Sequence, residues 1–423
     1  MNDKAKEMFE AIRENELEIA QINFEASLKQ ALLEDDIEGL VEFAERLHQA
    51  GFLSEAKQTY ELLKNMAPHI EEWDLFLAEL AIDQDHVLEG IDLLLKIDST
   101  NELYPNALLL LADAYQTIGL YEVSEQKILE AMSILPEEPI LQYALAKLYY
   151  AIGSFKKAIP IYENLIELQP DFVEAENILM QLAECYHAIG DFEEGVYYLE
   201  QIESKKHTSD SLFQLGLGYL QLKDYGRAVR NFEELLNKDP DYLSAYLYLS
   251  QALEADLQLE EALGTILKGI QENPFQAEFY LAAANLHRKL KHPEQAHLLL
   301  EKALELEPDI MEAVAMKVDL AMEAEQYENV ISILESQEDY MNQPLYQWSL
   351  ARAYNYLEEY ERASDYFEKA YYQLDENLDF LQDYSQFLRE EGRVEDRAEI
   401  IKKALSIEPN NPYFLEMDKN QFE

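Results

Sequence analysis

The sequence repeats every 34 residues, and this period limits the possible folds more than any other feature of the chain. One copy spans residues 139–172 and is typical of two amphipathic helices joined by a tight turn at Gly153. Apolar residues spaced three and four apart place Leu145 and Tyr149 on one stripe of the first helix. A helix pair of this size cannot bury its apolar stripe alone, so it must stack on further copies. We therefore expect an all-α fold.

Counted from Ile37, the period gives eleven units, with a three-residue insertion at 173–175. Small residues recur at the eighth and twentieth places, where the two helices of a pair must approach most closely. The eighth places hold Ala44, Ala78, Ala112, Ala146, Ala183, Gly216, Ser250, Ala284, Val318, Ala351 and Ser385. The twentieth places hold Ala56, Gly90, Ser124, Ala158, Gly195, Ala228, Ala262, Ala296, Val330, Ala363 and Arg397. Proline ends the second helix at Pro68, Pro136, Pro170, Pro240, Pro274, Pro308 and Pro409.

The frame predicts six segments. They are an N-terminal capping segment at 1–36, four units at 37–172, four further units at 173–310, a degenerate unit at 311–343, two units at 344–411 and a C-terminal capping helix at 412–423. In the degenerate unit Lys317 stands at an apolar place, and Val318 and Val330 replace small residues, so we expect a bend or hinge there. The last helix should begin at Pro412 with Phe414 and Leu415 facing inward.

Composition excludes several classes of partner. The formal net charge is −52, from 33 Lys and Arg against 85 Asp and Glu, and a surface of this sign repels phosphate backbones and anionic membranes. The hydrophobic fraction of 48% argues against disorder. No apolar run approaches the ~20 residues of a membrane helix, and the N-terminus lacks the basic start of a signal peptide. We predict a cytoplasmic protein that binds no nucleic acid and does not insert into a membrane.

Catalytic and metal-binding patterns are sparse. Cys185 is the one cysteine, which excludes an intramolecular disulfide and a Cys-rich metal site. His287, His292 and His297 are five residues apart, whereas two ligands on one helical face would be spaced three or four apart. We therefore predict ordinary surface or packing roles for these histidines. We expect no catalytic residue, no cofactor and no metal, so the protein is not predicted to be an enzyme.

In period and in residue type, the pattern resembles the tetratricopeptide repeat of cytosolic bacterial proteins, over residues 37–411. The resemblance implies a right-handed superhelical α-solenoid of antiparallel helix pairs, whose first helices line a concave groove. It also implies a non-catalytic scaffold that binds protein or peptide segments, and it leaves the oligomeric state open. The alternative is a signalling regulator that binds a response regulator or short peptide, with 1–36 as an effector segment. RNA binding by a helical-repeat array ranks last, because it needs a cationic surface.

The same resemblance indicates that the second, fifth, ninth, twelfth and thirteenth places of each first helix face the groove. The candidate partner-binding residues at or beside these places are Glu45, Glu79, Asp113, Tyr143, Tyr150, Phe213, Tyr248, Asn285, Arg288, Lys289, Trp348, Arg352, Asn355 and Arg389. The first three form an acidic row that should attract a basic segment. Trp348 and Arg352 should bind an anchor of apolar and acidic character.

Overall fold

A computed structural model describes residues 1–70, 72–168, 175–336 and 338–419 of the chain. All regular elements in these ranges are helical, with no strand. The chain separates into two compact units, Met1–Leu222 and Lys223–Glu423, which we call the N-terminal unit and the C-terminal unit. Pro170, the insertion residues 173 and 174, and the end of the predicted C-terminal cap at 420–423 lie outside the described residues.

The N-terminal unit contains thirteen α-helices in its described residues and a short 3-10 helix, Ser204–Lys206. The α-helices are α1 (Asp3–Arg13), α2 (Leu17–Glu34), α3 (Ile37–Gln49), α4 (Leu53–Met66), α5 (Glu72–Asp83), α6 (Val87–Leu94), α7 (Tyr104–Thr117), α8 (Tyr121–Ile134), α9 (Pro139–Ala151), α10 (Phe155–Leu168), α11 (Ala175–Ala188), α12 (Phe192–Leu199) and α13 (Ser209–Gln221).

The described part of the C-terminal unit contains a further thirteen helices. They are α14 (Tyr225–Lys238), α15 (Leu243–Ala255), α16 (Leu259–Glu272), α17 (Ala277–Lys289), α18 (Pro293–Leu306), α19 (Met311–Glu323), α20 (Tyr327–Glu335), α21 (Glu338–Met341), α22 (Pro344–Tyr356), α23 (Tyr360–Leu374), α24 (Leu378–Glu390), α25 (Val394–Ile407) and α26 (Pro412–Lys419).

Within each unit, successive helices pack as antiparallel pairs, and each pair packs on the next. The predicted all-α solenoid of stacked helix pairs is therefore confirmed. In the repeat frame, the first helices are α3, α5, α7, α9, α11 and α13 in the N-terminal unit, and α15, α17, α19, α22 and α24 in the C-terminal unit. The candidate partner-binding residues all lie on first helices.

The turn inside each pair depends on one residue in the left-handed conformation. Gly153 has a φ of 72°, and the amide of Ser154 donates to the carbonyl oxygen of Tyr149 at 2.8 Å, which closes the end of α9. Only Gly adopts this conformation without steric cost, yet six of the equivalent turn residues are not glycine: Asp85, Lys223, Leu257, Lys291, Glu325 and Glu358. The turn geometry is thus imposed by packing of the two helices as well as by glycine.

The small residues lie where the helices touch. Ala146 and Ala158 are completely buried. A Cβ added at Gly90 would lie 2.7 Å from Cγ1 of Ile82 and 2.9 Å from the carbonyl oxygen of Ala78, so α5 and α6 leave no room for a side chain. The contact that fixes the helix pairs is therefore a close backbone approach, as in the sequence prediction.

The two valines that replace small residues in the degenerate repeat 311–343 are part of the core. Val318 and Val330 are buried, and they belong to one apolar cluster that extends to Phe414 in α26. A bend in this repeat stays a prediction. At the C-terminus Phe414 is buried as expected, but Leu415 is exposed, because Phe414 and Met417 occupy the side of α26 that packs on the cluster.

Residues 1–36 form a helix pair built like the repeats. In α2 the buried residues Ala20 and Phe24 stand three and seven positions after the first helical residue, the same offsets as Ala56 and Tyr60 in α4. The Phe24 ring lies 6.0 Å from the ring of Phe43 in α3. The pair therefore extends the stack of the N-terminal unit by side-chain packing.

Candidate functional site

The acidic row of the N-terminal unit is accessible to solvent. Glu45 and Asp113 are exposed and Glu79 is half-buried, and none of the three forms a salt bridge with a described residue. Burial and the charges of Glu45 and Glu79 raise the pKa of Tyr60, which packs beneath these two carboxylates. The first two members of the row thus act on a common neighbour, and their charges are not neutralised by a local cation.

Side chains of neighbouring first helices meet in this unit when they are 34 or 35 residues apart. Nε2 of His48 in α3 lies 2.6 Å from Oδ2 of Asp83 in α5. The hydroxyl of Tyr150 in α9 donates to the carboxylate of Glu184 in α11. Burial and this hydrogen bond raise the pKa of Tyr150, so the hydroxyl keeps its proton and remains the donor. Tyr150 therefore links two repeats in addition to its predicted surface role.

Tyr143 differs from its prediction as a groove residue. Only 9% of the residue is exposed, and its ring lies 6.3 Å from that of Tyr162 in α10, within the apolar core. At this fifth place the ring packs against the second helix of the pair, whereas Trp348, at the fifth place of a later repeat, is half-buried. Phe213 in α13 and Tyr248 in α15 are half-buried, and the Tyr248 ring stacks on Phe232 at 6.2 Å.

In the C-terminal unit, Trp348 and Arg352 converge on one carboxylate. The indole Nε1 of Trp348 donates to Oδ2 of Asp383 at 3.0 Å, and Nε of Arg352 lies 3.4 Å from the same oxygen. The guanidinium carbon of Arg352 is 6.0 Å from the centre of the Trp348 ring. Burial raises the pKa of Asp383, and the Arg352 charge and the Trp348 hydrogen bond oppose that rise. The carboxylate is held by two donors from the preceding first helix.

Asp383 belongs to a larger arrangement that sequence reasoning recovered only in part. Burial raises the pKa of Asp319 in α19, and the charges of Arg288 in α17 and Arg352 in α22 oppose that rise. Four first helices thus contribute alternating charges, and we call Arg288, Asp319, Arg352 and Asp383 the charge row. Asp383 follows Trp348 by 35 residues, so the signal that could have found it was a complementary residue one period later.

A second feature of α22 was also missed. Tyr356 is 58% exposed, and its ring stacks on that of Tyr327 in α20 with centres 4.6 Å apart and planes 5° from parallel. Trp348, Arg352 and Tyr356 follow one another at intervals of four residues, which places them on one side of α22. We call these three residues and Tyr327 the α22 strip. The thirteenth place, already predicted to face the groove, could have identified Tyr356.

The remaining candidates lie on the same first helices. Lys289 in α17 forms a salt bridge with Glu254 in α15, 35 residues earlier. Asn285 and Asn355 are half-buried, and Arg389 is exposed. Arg389 also lowers the pKa of Tyr413, against the larger effect of burial, so it lies near the last described helix.

The described residues contain no group of three or more His, Cys, Asp and Glu side chains arranged to hold a metal ion. The turn after α17 nevertheless brings Nδ1 of His287 to 3.4 Å from Nδ1 of His292, although the spacing of five suggested unrelated roles. Burial, followed by the charge of Glu184, raises the pKa of the Cys185 thiol to about 12, which keeps it protonated. No helix in the described part of the chain is both long and apolar enough to cross a membrane.

Comparison with known families identifies the repeats. Models described as "YpiA-like, tetratricopeptide repeats" and "YpiA-like, C-terminal tetratricopeptide repeats" match residues 116–169 and 344–411. General tetratricopeptide repeat models match 143–207, 213–277 and 277–310. The TPR repeat-containing protein YpiA of Bacillus subtilis (strain 168) is 35% identical over 369 residues, which cover 87% of each chain.

Two solved structures show similar helical arrays. The TPR protein YrrB, described as having an unusual peptide-binding site, is 19% identical with a TM-score of 0.40, and the alignment covers 45% of this chain and 97% of that one. The APC/C hetero-tetramer Cut9–Hcn1 is 12% identical with a TM-score of 0.43, and the alignment covers 100% of this chain and 97% of that one.

Proposed function

Because this chain belongs to the YpiA-like family of tetratricopeptide repeat proteins, we propose that it is a non-catalytic cytoplasmic scaffold that holds segments of partner proteins on its first helices. Tetratricopeptide repeat proteins generally mediate protein–protein interactions. The observation that carries the proposal for this chain is the α22 strip, which collects a tryptophan, an arginine and an exposed tyrosine on one side of one helix.

The α22 strip has the residue types that dominate binding surfaces. Trp and Tyr supply large contact areas with few rotatable bonds, and binding hot spots are enriched in Trp, Tyr and Arg. The Arg352 and Asp383 side chains are 42% and 36% exposed, so solvent screens their salt bridge and a partner can open it at small cost. A partner carboxylate would replace Asp383 on the guanidinium, and an apolar side chain beside it would pack on Tyr356.

The acidic row supports a different contact. Glu45, Glu79 and Asp113 have no salt-bridge partner among the described residues, so their field extends into solvent. An uncompensated row of carboxylates attracts a basic segment and accelerates its encounter, more strongly at low salt. The scaffold would therefore hold a basic segment on the N-terminal unit and a segment of apolar and acidic character on the C-terminal unit.

Affinity capture from lysate tests this proposal with two matched double variants. Trp348→Ala with Arg352→Glu removes the centre of the α22 strip. Arg230→Glu with Tyr372→Ala likewise reverses one arginine charge and removes one aromatic ring, at exposed residues of the second helices α14 and α23. Circular dichroism first establishes that both are folded. A partner lost from the first variant and kept by the second supports the strip, and identical capture by both variants contradicts it.

The alternative of a signalling regulator depends on residues 1–36. The packing of Phe24 on Phe43 favours a cap, because removal of 1–36 would expose the buried side chains of α3. An effector segment would instead detach without loss of fold. Deletion of 1–36 distinguishes the two: loss of the cap lowers the melting temperature and solubility, whereas loss of an effector leaves both unchanged and abolishes activity.

A further inference from the structure

The two sides of α2 have different environments. Ala20, Phe24 and Ala31 are buried against the rest of the N-terminal unit. The rest of the helix surface exposes five large aliphatic residues, which we call the outer face of α2: Leu17, Ile19, Ile22, Leu32 and Leu33. The exposed fraction is 64% for Leu17, 66% for Ile22 and 88% for Leu33. A terminal helix that only shields a solenoid from water would present polar residues here.

Comparison with α4 shows that this apolar character is not a property of the repeat. The helix α4 has buried residues at the same offsets, and its exposed residues include Ser54, Gln58, Glu61 and Asn65. The outer face of α2 therefore does not follow from the requirements of packing. Exposed aliphatic side chains grouped in the first two turns and in the last turn of one helix are typical of an interaction surface.

Carboxylates determine which partner suits this surface. Glu18 and Glu25 lie between the aliphatic residues on the helix, and Glu16 precedes its first turn. All three are exposed, and none forms a salt bridge with a described residue. Lys29 is the single cation of α2. Lys29 lies four residues after Glu25 on the same side and offsets one of the three carboxylates, so the surface combines apolar contact area with a net negative charge.

A second copy of this chain fits poorly, because it would bring the same carboxylates together in a protein of net charge −52. A helix with an aliphatic side flanked by Lys or Arg satisfies both features: its apolar residues cover Ile22 and Leu33, and its cations pair with Glu18 and Glu25. We propose that the outer face of α2 binds a cationic amphipathic helix of a partner protein. This surface is separate from the acidic row and the α22 strip.

The test uses the full chain and a fluorescent synthetic peptide. The peptide contains only Leu and Lys, is about five helical turns long, and has leucines spaced three and four apart. Its controls are a Leu/Glu peptide of the same pattern and a Leu/Lys peptide of scrambled order. Ile22→Glu with Leu33→Glu changes the outer face. Leu257→Glu with Leu298→Glu adds the same charge at exposed leucines of the C-terminal unit. Glutamate has good helix propensity at the three helical positions, and it already occupies the turn position equivalent to Leu257 in two other repeats, at Glu325 and Glu358. Both variants should therefore keep the wild-type melting temperature.

We expect the Ile22→Glu, Leu33→Glu variant to bind the patterned Leu/Lys peptide at least about tenfold more weakly, although its added charge alone would strengthen the attraction. The control variant should bind as the wild type does. Glu18→Gln with Glu25→Gln should weaken binding and reduce its dependence on salt. Equal binding by all variants, or equal binding of the scrambled peptide, would overturn the proposal in favour of unspecific attraction.

Two further results would also overturn it. Binding of the Leu/Glu peptide as tightly as the Leu/Lys peptide would show that charge does not select the occupant. Sedimentation that shows a dimer of the wild type, and a monomer of the Ile22→Glu, Leu33→Glu variant, would assign the outer face to a second copy of the chain.

Discussion

The first helices of the two units carry charge in different ways. In the N-terminal unit, Glu45, Glu79 and Asp113 stand without a salt-bridge partner among the described residues. In the C-terminal unit, the charge row alternates in sign, and Arg352 pairs with Asp383 at 3.4 Å. The same repeat geometry therefore supports one surface suited to long-range electrostatic attraction of a partner and another suited to short-range contacts with it. The difference depends on whether a side chain of opposite charge on the neighbouring first helix lies within reach, as Asp383 does for Arg352.

The largest expected effect comes from truncating a core side chain. Such a change tests whether the two units unfold independently of each other. Phe367 lies 4.9 Å from Phe387 and 5.2 Å from Tyr384 between ring centres, and it is almost completely buried. Phe367→Ala should destabilise the C-terminal unit by about 3–5 kcal/mol through lost burial and a cavity. Hydrogen exchange monitored by mass spectrometry should show faster exchange in α22–α25.

Phe24→Ala is the matched change in the N-terminal unit, where Phe24 is also fully buried. It should accelerate exchange in α1–α4 and leave α22–α25 unaffected, because repeats interact mainly with their neighbours. Uniform acceleration across the chain by either variant would mean that the two units unfold as one, and the comparison of separate units would be wrong.

A smaller effect is expected where the helices of a pair touch. Ala146→Leu inserts three carbon atoms between α9 and α10, where Ala146 is completely buried, and should cost about 1–3 kcal/mol by overpacking. Ala146→Ser, which adds a single oxygen atom, is the control and should cost less. Chemical denaturation followed by circular dichroism measures both. If Ala146→Leu left the free energy of unfolding unchanged, α9 and α10 could move apart at that point without loss of stability.

Charge reversal should sharpen the contrast between the two faces. Glu45→Lys with Glu79→Lys and Asp113→Lys should weaken the affinity for a basic partner segment by about tenfold or less at physiological salt. The dependence of that affinity on salt concentration should also decrease. Three matched reversals on the second helices, Glu61→Lys, Glu233→Lys and Glu261→Lys, keep the net charge equal. Isothermal titration at two salt concentrations measures the effect. If the two triple variants behave alike, the row has no role beyond net charge.

The smallest expected effect is on the pH dependence of stability, which has opposite signs for one carboxyl in each unit. The amine of Met1 donates a hydrogen bond to Glu42 and lowers the pKa of that carboxyl. A carboxyl whose pKa is lower in the folded state stabilises the protein at pH values above its unfolded-state pKa. This stabilisation is lost as the pH falls through its folded-state pKa. Glu42→Gln should therefore lower the melting temperature slightly at neutral pH, and the difference from wild type should vanish in acid.

Asp383 should behave in the opposite way, because burial raises its pKa. A carboxyl whose pKa is higher in the folded state favours folding at pH values below its unfolded-state pKa. This contribution is lost as the pH rises through its folded-state pKa. The wild type should therefore gain stability relative to Asp383→Asn as pH falls between the raised pKa and the usual range near ~4. Melting temperatures of the wild type and of both variants, measured across that pH range, test the two opposite pH dependences. A parallel response of the two variants would contradict the environments assigned to these carboxyls.

Much of the fold was predictable because a repeat presents the same evidence many times. The period, the small residues at the eighth and twentieth places and the turn at Gly153 each follow from local spacing, and the structure has helix pairs where these patterns lie. Turns without glycine, such as the one at Leu257, were less evident. Their left-handed residue is imposed by the packing of the helices on either side rather than by its own preference.

The candidate site was predictable only in part. Places on a helix identified Trp348 and Arg352, but the partner of both, Asp383, comes from another helix. Tyr143 was assigned to the surface by its place, yet the space between α9 and α10 takes up its ring. The pairing of His287 with His292 depends on how the chain turns after α17.

By itself the sequence determined the all-α class, the antiparallel helix pair and the tetratricopeptide family, because spacings of three, four and 34 specify which residues share a side of a helix and how pairs repeat. Tertiary structure alone decided which charges are compensated, which aromatic rings are buried and which side of α2 remains apolar and exposed. These properties depend on the distance between side chains of different helices, and that distance exists only once the helices have packed.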